Sequence, residues 1–502
     1  MATLPRPTMA EERSDTLIIG LDMADTVTFD PARLASYTSP LALDAVYDTL
    51  VTMQPGQYEG VAPRLATQWA RVPEGWRFTL DPAATFASGA RVTAGDCQWS
   101  LERARASADG AGQFVANIEA VVASGPDTVD IRLHRPDEAL LQTLASPQFA
   151  ILERTVVESK PSSGTEWLNQ HSAGSGPYVL AGWSRRQSVQ LVANPHPWRG
   201  AASYRRITID HVPRPVAQLR AIQRGDIDVA FNLLPEHLAT LESDRNVRVE
   251  SVRSLDCIYL ALSADAAVTP WLAKKEVREA VGAAIDYEDL LGRLLGGNAI
   301  RPAHFLPIGV PGSTEAVAAG VGYHQDLARA RTLLRQAGAP DGFELELSYG
   351  DEAIAGITYH ALARKLQTDL GRVGIKVRLV ALSPTVLRDR YLAGKTQAVL
   401  AFWHSPVVQD RVWAEASVDR VGRRLGWVAP DPVRTLITAA AGEGDAGKAS
   451  ALWSQFQAEM EAEATVIPLF QPTYQVAIRK SVGTFPLTAA GWMADLGSAK
   501  PA

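Results

Sequence analysis

The residues that invite chemistry are few and scattered. Phe402-Trp403-His404-Ser405 sets two aromatic rings beside an imidazole and a hydroxyl at the end of a predicted strand, 397–402. That mixture suits stacking on a solute and orienting it, because binding clefts are largely apolar with a few placed polar groups. Asn232 and Leu233 end another predicted strand, and open α/β sheets bind ligands beyond the carboxyl ends of their strands. Asp256, beside Cys257, interrupts the apolar strand 255–262. A carboxylate there needs a partner, either an N–H of a ligand or an arginine such as Arg253. Each residue also has a plain reading: Trp403 as packing, His404 as a surface side chain, Tyr37-Thr38-Ser39 as a polar turn.

No catalytic constellation is present. The nine histidines include no His-Glu-x-x-His and no His/Cys grouping at metal spacing. Neither a Gly-x-Ser-x-Gly elbow nor a phosphate-binding Lys-Ser/Thr loop occurs. Gly174-Ser-Gly-Pro-Tyr leads into a strand, so it reads as a turn. No catalytic residue, metal ligand or cofactor is expected, and an amide or ester hydrolase is the weaker alternative.

The elements that must position these side chains follow from periodicity. Residues 207–212 are β-branched and read as a strand. Val216, Leu219 and Ile222 recur at helical spacing up to Gly225, a left-handed stop, and 226–231 alternates as a second strand. A second strand–helix–strand unit is expected over 343–349, 357–370 and 375–382, followed by a helix at 386–392. The first strand is 16–21, and a helix is expected through Val46, Tyr47 and Leu50. Further helices are expected at 276–285, 287–295 and 326–337. The fold class is α/β.

With 502 residues, 46% hydrophobic and 21% charged, the chain can bury a large core. A net charge of -6 without a basic stripe argues against nucleic acid, and no run approaches the ~18 apolar residues of a membrane span. Cys97 and Cys257 are far apart and read as free thiols. Residues 1–15 read as an unstructured tail with no apolar leader core. The expectation is an export leader lying outside this sequence or a misplaced gene start, a chain that stays in the cytoplasm being the other reading.

Several motifs carry a resemblance. They are Asn-Pro-x-x-Trp-Arg-Gly at 194–200, Ile-Gln-Arg-Gly-Asp-Ile-Asp at 222–228, Val-Tyr-Asp-Thr-Leu at 46–50, Phe-Asp-Pro at 29–31, Ala-Pro-x-Leu-Ala-Thr-Gln-Trp at 62–69, the 86–97 stretch with Val-Thr-Ala-Gly-Asp, and Gly-Ser-Gly-Pro-Tyr at 174–178. In this order they resemble the extracytoplasmic solute-binding proteins of family 5, from Thr16 to about Trp492. The resemblance implies a two-lobed fold of the periplasmic-binding-protein kind (type II, large, with an extra subdomain in lobe one), with the ligand in the interlobe cleft. The boundaries it implies are lobe one at 16–255 with a subdomain at about 45–170, lobe two at 256–475, and a return to lobe one over 476–502.

The resemblance also implies a periplasmic, monomeric receptor that closes on a small molecule and delivers it to ABC permease subunits served by separate ATPase chains. It puts Tyr37, Thr38 and Ser39 on the ligand loop, and Tyr474 near the return crossing. One departure bears on the ligand. Peptide receptors of the family hold the peptide's amino terminus with an aspartate after Gly-Trp-x-x, and here Pro406 stands in its place. The expected ligand is therefore a neutral, aromatic or amide-like compound rather than a free peptide. The alternatives are an oligopeptide- or dipeptide-binding protein of the same family and, in another class, a cytoplasmic peptide-holding protein.

Overall fold

The computed structural model describes residues 15–34, 36–53, 60–107, 110–137, 140–303, 306–310, 313, 322–351, 353–354, 357–403 and 414–502. The chain divides into two compact units. Unit 1 comprises 1–252 and 475–502, and unit 2 comprises 253–474.

In unit 1 the strands and helices that matter are β1 (Thr16–Leu21), α1 (Pro40–Val46), β2 (Ala66–Val72), β3 (Gly75–Leu80), α2 (Ala94–Arg105), β4 (Ile118–Ala123), β5 (Thr128–Leu133), β6 (Tyr178–Ser184), β7 (Ser188–Ala193), β8 (Arg206–His211), α3 (Pro215–Arg224) and β9 (Val229–Ala230). β1 lies between β8 and β9 and is parallel to both. The β8–α3–β9 crossover therefore steps over β1. β7 and β6 extend the sheet antiparallel beyond β8. Leu17, Ile19, Ile207, Ile209 and Val229 are buried in one core. A separate antiparallel sheet, in the order β2-β3-β5-β4, carries α2, whose start is fixed by a capping box between Thr93 and Asp96.

Unit 2 contains β10 (Cys257–Leu262), α4 (Lys275–Ala284), α5 (Leu327–Gln336), β11 (Glu344–Gly350), α6 (Tyr359–Gly371), β12 (Lys376–Leu382), α7 (Pro384–Leu392) and β13 (Ala398–Trp403). β11 is parallel to both β12 and β13, while β10 runs antiparallel to β13. Each unit thus repeats one pattern: the first of three parallel strands sits in the middle, flanked by the second and third. A 14-residue strand, β14 (Val466–Arg479), pairs β10 through its first half and β9 through its second.

Three expected elements differ. The helix expected through Leu50 is α1 and ends at Val46, because Pro40 suits a first helical turn and Tyr47 is already extended at φ -124°, ψ 148°. The strand expected at 226–231 is only β9, since Asp228 spends its carboxylate on the Ile18 amide (2.9 Å) in place of ladder pairing. The helix expected at 287–295 is one α turn, Tyr287–Asp289, followed by a π turn, Leu290–Leu294, and stops at left-handed Gly296 and Gly297.

Candidate functional site

In unit 1 the carboxyl ends of β1, β8 and β9 are bound together by side chains. The Asn232 side-chain oxygen accepts from the Asp22 amide (2.8 Å) and from Gln218 Nε2 (3.2 Å). Gln218 Oε1 returns a bond from the Asn232 amide (3.0 Å), and its Nε2 also reaches the Val212 carbonyl (2.7 Å). Gln218 is fully buried on α3, so one helix side chain fixes two strand ends. His211 Nδ1 accepts from the Met23 amide (3.0 Å), which places its proton on Nε2. Neither Gln218 nor His211 was legible as a site residue, because a lone glutamine or histidine in a periodic segment carries no spacing signal.

The Tyr37-Thr38-Ser39 turn precedes α1. Asp25 accepts from the Tyr37 amide (2.5 Å) and Thr38 amide (3.3 Å), and the Thr38 hydroxyl donates to it. Burial raises the Asp25 carboxyl, and the bonds from Thr38 and Tyr37 oppose that rise. Thr26 and Thr38 share a hydroxyl bond of 2.9 Å, and Ser36 bonds Ser39. Tyr37 stays half-buried, while Thr38 and Ser39 are buried. Leu233, expected on the lip of the site, is 2% exposed, in a cluster with Ile222, Ile227 and Leu238.

In unit 2 the register of β10 and β13 sorts the remaining residues. Cys257 faces Trp403, Ile258 faces Phe402, and Tyr259 faces Ala401. Successive side chains alternate faces. Ile258, Leu260 and Leu262 join the main core, and Phe402 packs against it. Trp403 therefore shares the other face with Cys257 and Tyr259. The Arg420 guanidinium lies 5.3 Å from the Trp403 ring centroid. Cys257 is fully buried, and burial pushes its thiol far up, with Asp256 adding to the shift. A buried thiol of this kind has little thiolate character. Cys97 is likewise buried and free.

Asp256 is 3% exposed, and its amide donates to the Ser254 hydroxyl oxygen at 3.2 Å. Tyr474 is half-buried near the middle of β14. His404 and Ser405, with Pro406, lie outside the described residues. Among the described residues no group of His, Cys, Asp and Glu is arranged to hold a metal ion, and no helix is long and apolar enough to cross a membrane.

The family motifs of unit 1 meet elsewhere, on two buried carboxylates. Asp48, fully buried, accepts from Ser175 Oγ (2.9 Å), Trp198 Nε1 (3.1 Å) and Arg199, with Arg64 Nε at 3.6 Å. Arg64 also bonds Asp44 at 2.8 Å. Burial acts to lower the Arg64 guanidinium, but Asp44 and Asp48 outweigh it and raise the group. Asp30, also fully buried, takes both arms of Arg103, at 2.7 and 2.5 Å. These residues hold unit 1 together.

The profile described as "Bacterial extracellular solute-binding proteins, family 5 Middle" matches residues 60–418. The probable D,D-dipeptide-binding periplasmic protein DdpA of Escherichia coli (strain K12) is 26% identical over 482 residues, covering 94% of this chain and 91% of the relative. Among solved structures, a dipeptide-binding protein from Pseudoalteromonas sp. SM9913 in complex with Met-Leu superposes with a TM-score of 0.85 at 20% identity, over 97% of this chain and all of the other. The protein MoaA from A. tumefaciens R10 in complex with mannopinic acid gives 0.82 at 21%, over 97% and 99%. These two structures share the fold. The profile match covers well over half of the sequence, and the chain belongs to the bacterial extracellular solute-binding proteins of family 5.

Proposed function

We propose that this protein is the extracytoplasmic receptor of an ABC importer and that its solute is a short peptide or a related amide compound. The solute would leave chemically unchanged, passed by a monomeric receptor to permease subunits powered by separate ATPase chains. The observation that carries this reading is the family match over 60–418, joined by a full-length relative named for D,D-dipeptides. The proposed contacts are Tyr37 and Asn232 at the strand ends of unit 1, and Trp403, His404 and Ser405 after β13.

A second reading, a neutral aromatic or amide solute without a free ammonium, is favoured by Pro406 standing where the family's peptide receptors carry aspartate. Thermal shift and native mass spectrometry of the full chain against free dipeptides, their N-acetylated forms, and aromatic amides decide between them. Stabilisation by free dipeptides that acetylation abolishes supports a peptide receptor that reads the ammonium. Equal stabilisation by the acetylated forms supports the second reading. No shift with any member of the panel overturns both.

A further inference from the structure

We infer that Asp22 and His211 together read one amide group of the solute, Asp22 accepting its N–H and His211 Nε2 donating to its carbonyl. This deepens the receptor reading above and rests on it. His211 is the last residue of β8 and pairs in register with Leu21, the last residue of β1. Asp22 follows Leu21 directly. Alternation puts His211 on the face of Ile207 and Ile209, so a polar ring ends a row of core side chains. Half-buried Tyr37 and Phe231 pack against that same core. The strand ends of unit 1 thus offer apolar surface with a few placed polar groups, the composition of a small-molecule site.

Neighbouring groups fix the roles of the pair. The Met23 amide donates to His211 Nδ1 at 3.0 Å, so a neutral ring carries its proton on Nε2. Nε2 has no hydrogen-bond partner among the described residues and meets solvent, on a side chain 11% exposed. The Asp22 carboxylate lies 3.6 Å from Nδ1 and is 38% exposed, with Oδ1 accepting from the Ala24 amide at 3.0 Å. A fixed donor and a partly open acceptor therefore stand side by side, which matches the C=O and N–H of one amide. Charge decides against an anionic group here. Burial chiefly, and Asp22 in addition, raises the Asp25 carboxyl, so a second carboxyl group shares this corner. Neither is ion-paired to a lysine or arginine among the described residues. A solute carboxylate would be repelled, and a bare ammonium would leave the Nε2 donor unanswered, whereas a neutral amide satisfies both groups.

Isothermal titration of the full chain with two matched pairs tests this. One pair is alanylphenylalanine and its ester, in which oxygen replaces the amide N–H; the other is N-phenethylacetamide and phenethyl acetate. In whichever pair binds, the amide should bind about tenfold more tightly, because the ester has no proton for Asp22 and its carbonyl accepts less well. Asp22→Ala and His211→Leu should each shrink that preference to about threefold or less. His211→Gln should keep most of it, since glutamine can accept from Met23 and still donate outward. A merely structural role would weaken both members of a pair alike. Each variant must retain the native circular dichroism spectrum; Asp22 is partly exposed, so Asp22→Ala carries the test if the His211 variants do not. Equal binding of amide and ester by the wild type, or a preference unchanged in the folded variants, overturns the inference and leaves the receptor reading standing. Absence of binding by both pairs overturns it too, and only a blank result across the wider dipeptide and aromatic-amide panel would also bring the receptor reading down.

Discussion

Asp48 ties together pieces of unit 1 that lie far apart in sequence. Residues 127, 150 and 151 positions away in the chain all bond its carboxylate. Such a group is destabilising unless paired, and removing its charge leaves buried Arg64 with Asp44 alone and Arg199 without the carboxylate it bonds. Asp48→Asn should therefore cost about 3 kcal/mol, near the lower end for a broken buried ion pair, seen as a lower urea midpoint at unchanged slope. A midpoint equal to wild type would mean that Trp198 and Arg199 hold their places without it. From sequence, Val-Tyr-Asp-Thr-Leu, Gly-Ser-Gly-Pro-Tyr and Asn-Pro-x-x-Trp-Arg-Gly were visible as separate motifs. Their convergence was not, because a hydrogen bond between residues more than a hundred positions apart leaves no local pattern.

At the scale of elements, the turns obey backbone sterics. Gly225 ends α3 at φ +83°, and a Cβ there would sit 3.1 Å from the Arg479 guanidinium, which itself bonds the Ile222 carbonyl. Gly225→Ala should destabilise the protein by about 1–2 kcal/mol. Gly371, the last residue of α6, has open space around it and no left-handed angle. Gly371→Ala should raise stability by about 0.4–1 kcal/mol. Differential scanning calorimetry of the two variants checks the opposite signs, and a stabilised Gly225→Ala would refute the strain argument. Gly225 was readable in sequence because a glycine directly after a periodic helical stretch has one common use. The short β9 was not, since alternation in Asp226-Ile-Asp-Val-Ala-Phe says nothing about which amides a neighbouring carboxylate will take.

The β3–β5 pair supplies a pH-dependent element. Arg77 holds Asp130 through bonds of 2.7 and 2.8 Å, and these set its carboxyl below the ordinary range; burial opposes them, and Ser124 adds to the lowering. A carboxyl lower in the folded state than in the unfolded chain contributes stability above the unfolded value, and that contribution fades as pH falls through the folded one. Wild type should thus exceed Asp130→Asn in stability at pH 7, and the gap should close below about pH 4. Urea midpoints measured from pH 7 to pH 3 check this, and a gap that widens in acid would reverse the assignment.

For the whole molecule, ligand capture must appear as linked stability. A solute at a hundred times its Kd should stabilise the protein by about 2.7 kcal/mol. Trp403→Ala should erase most of that gain while leaving the unliganded melting temperature nearly unchanged, because Trp403 is only half-buried. Unliganded destabilisation comparable to that of Asp48→Asn would instead make Trp403 a packing residue. Local pattern alone settled the α/β class, the strand–helix–strand segments and the family, since period, glycine stops and motif order are properties of consecutive residues. Tertiary structure alone decided that Phe402 turns to the core while Trp403 meets Arg420, and that Leu233 and Cys257 are buried. It also showed that the motif carboxylates are internal braces. Side-chain facing depends on cross-strand register and on charges brought together from distant segments, and neither is written in any single stretch of the chain.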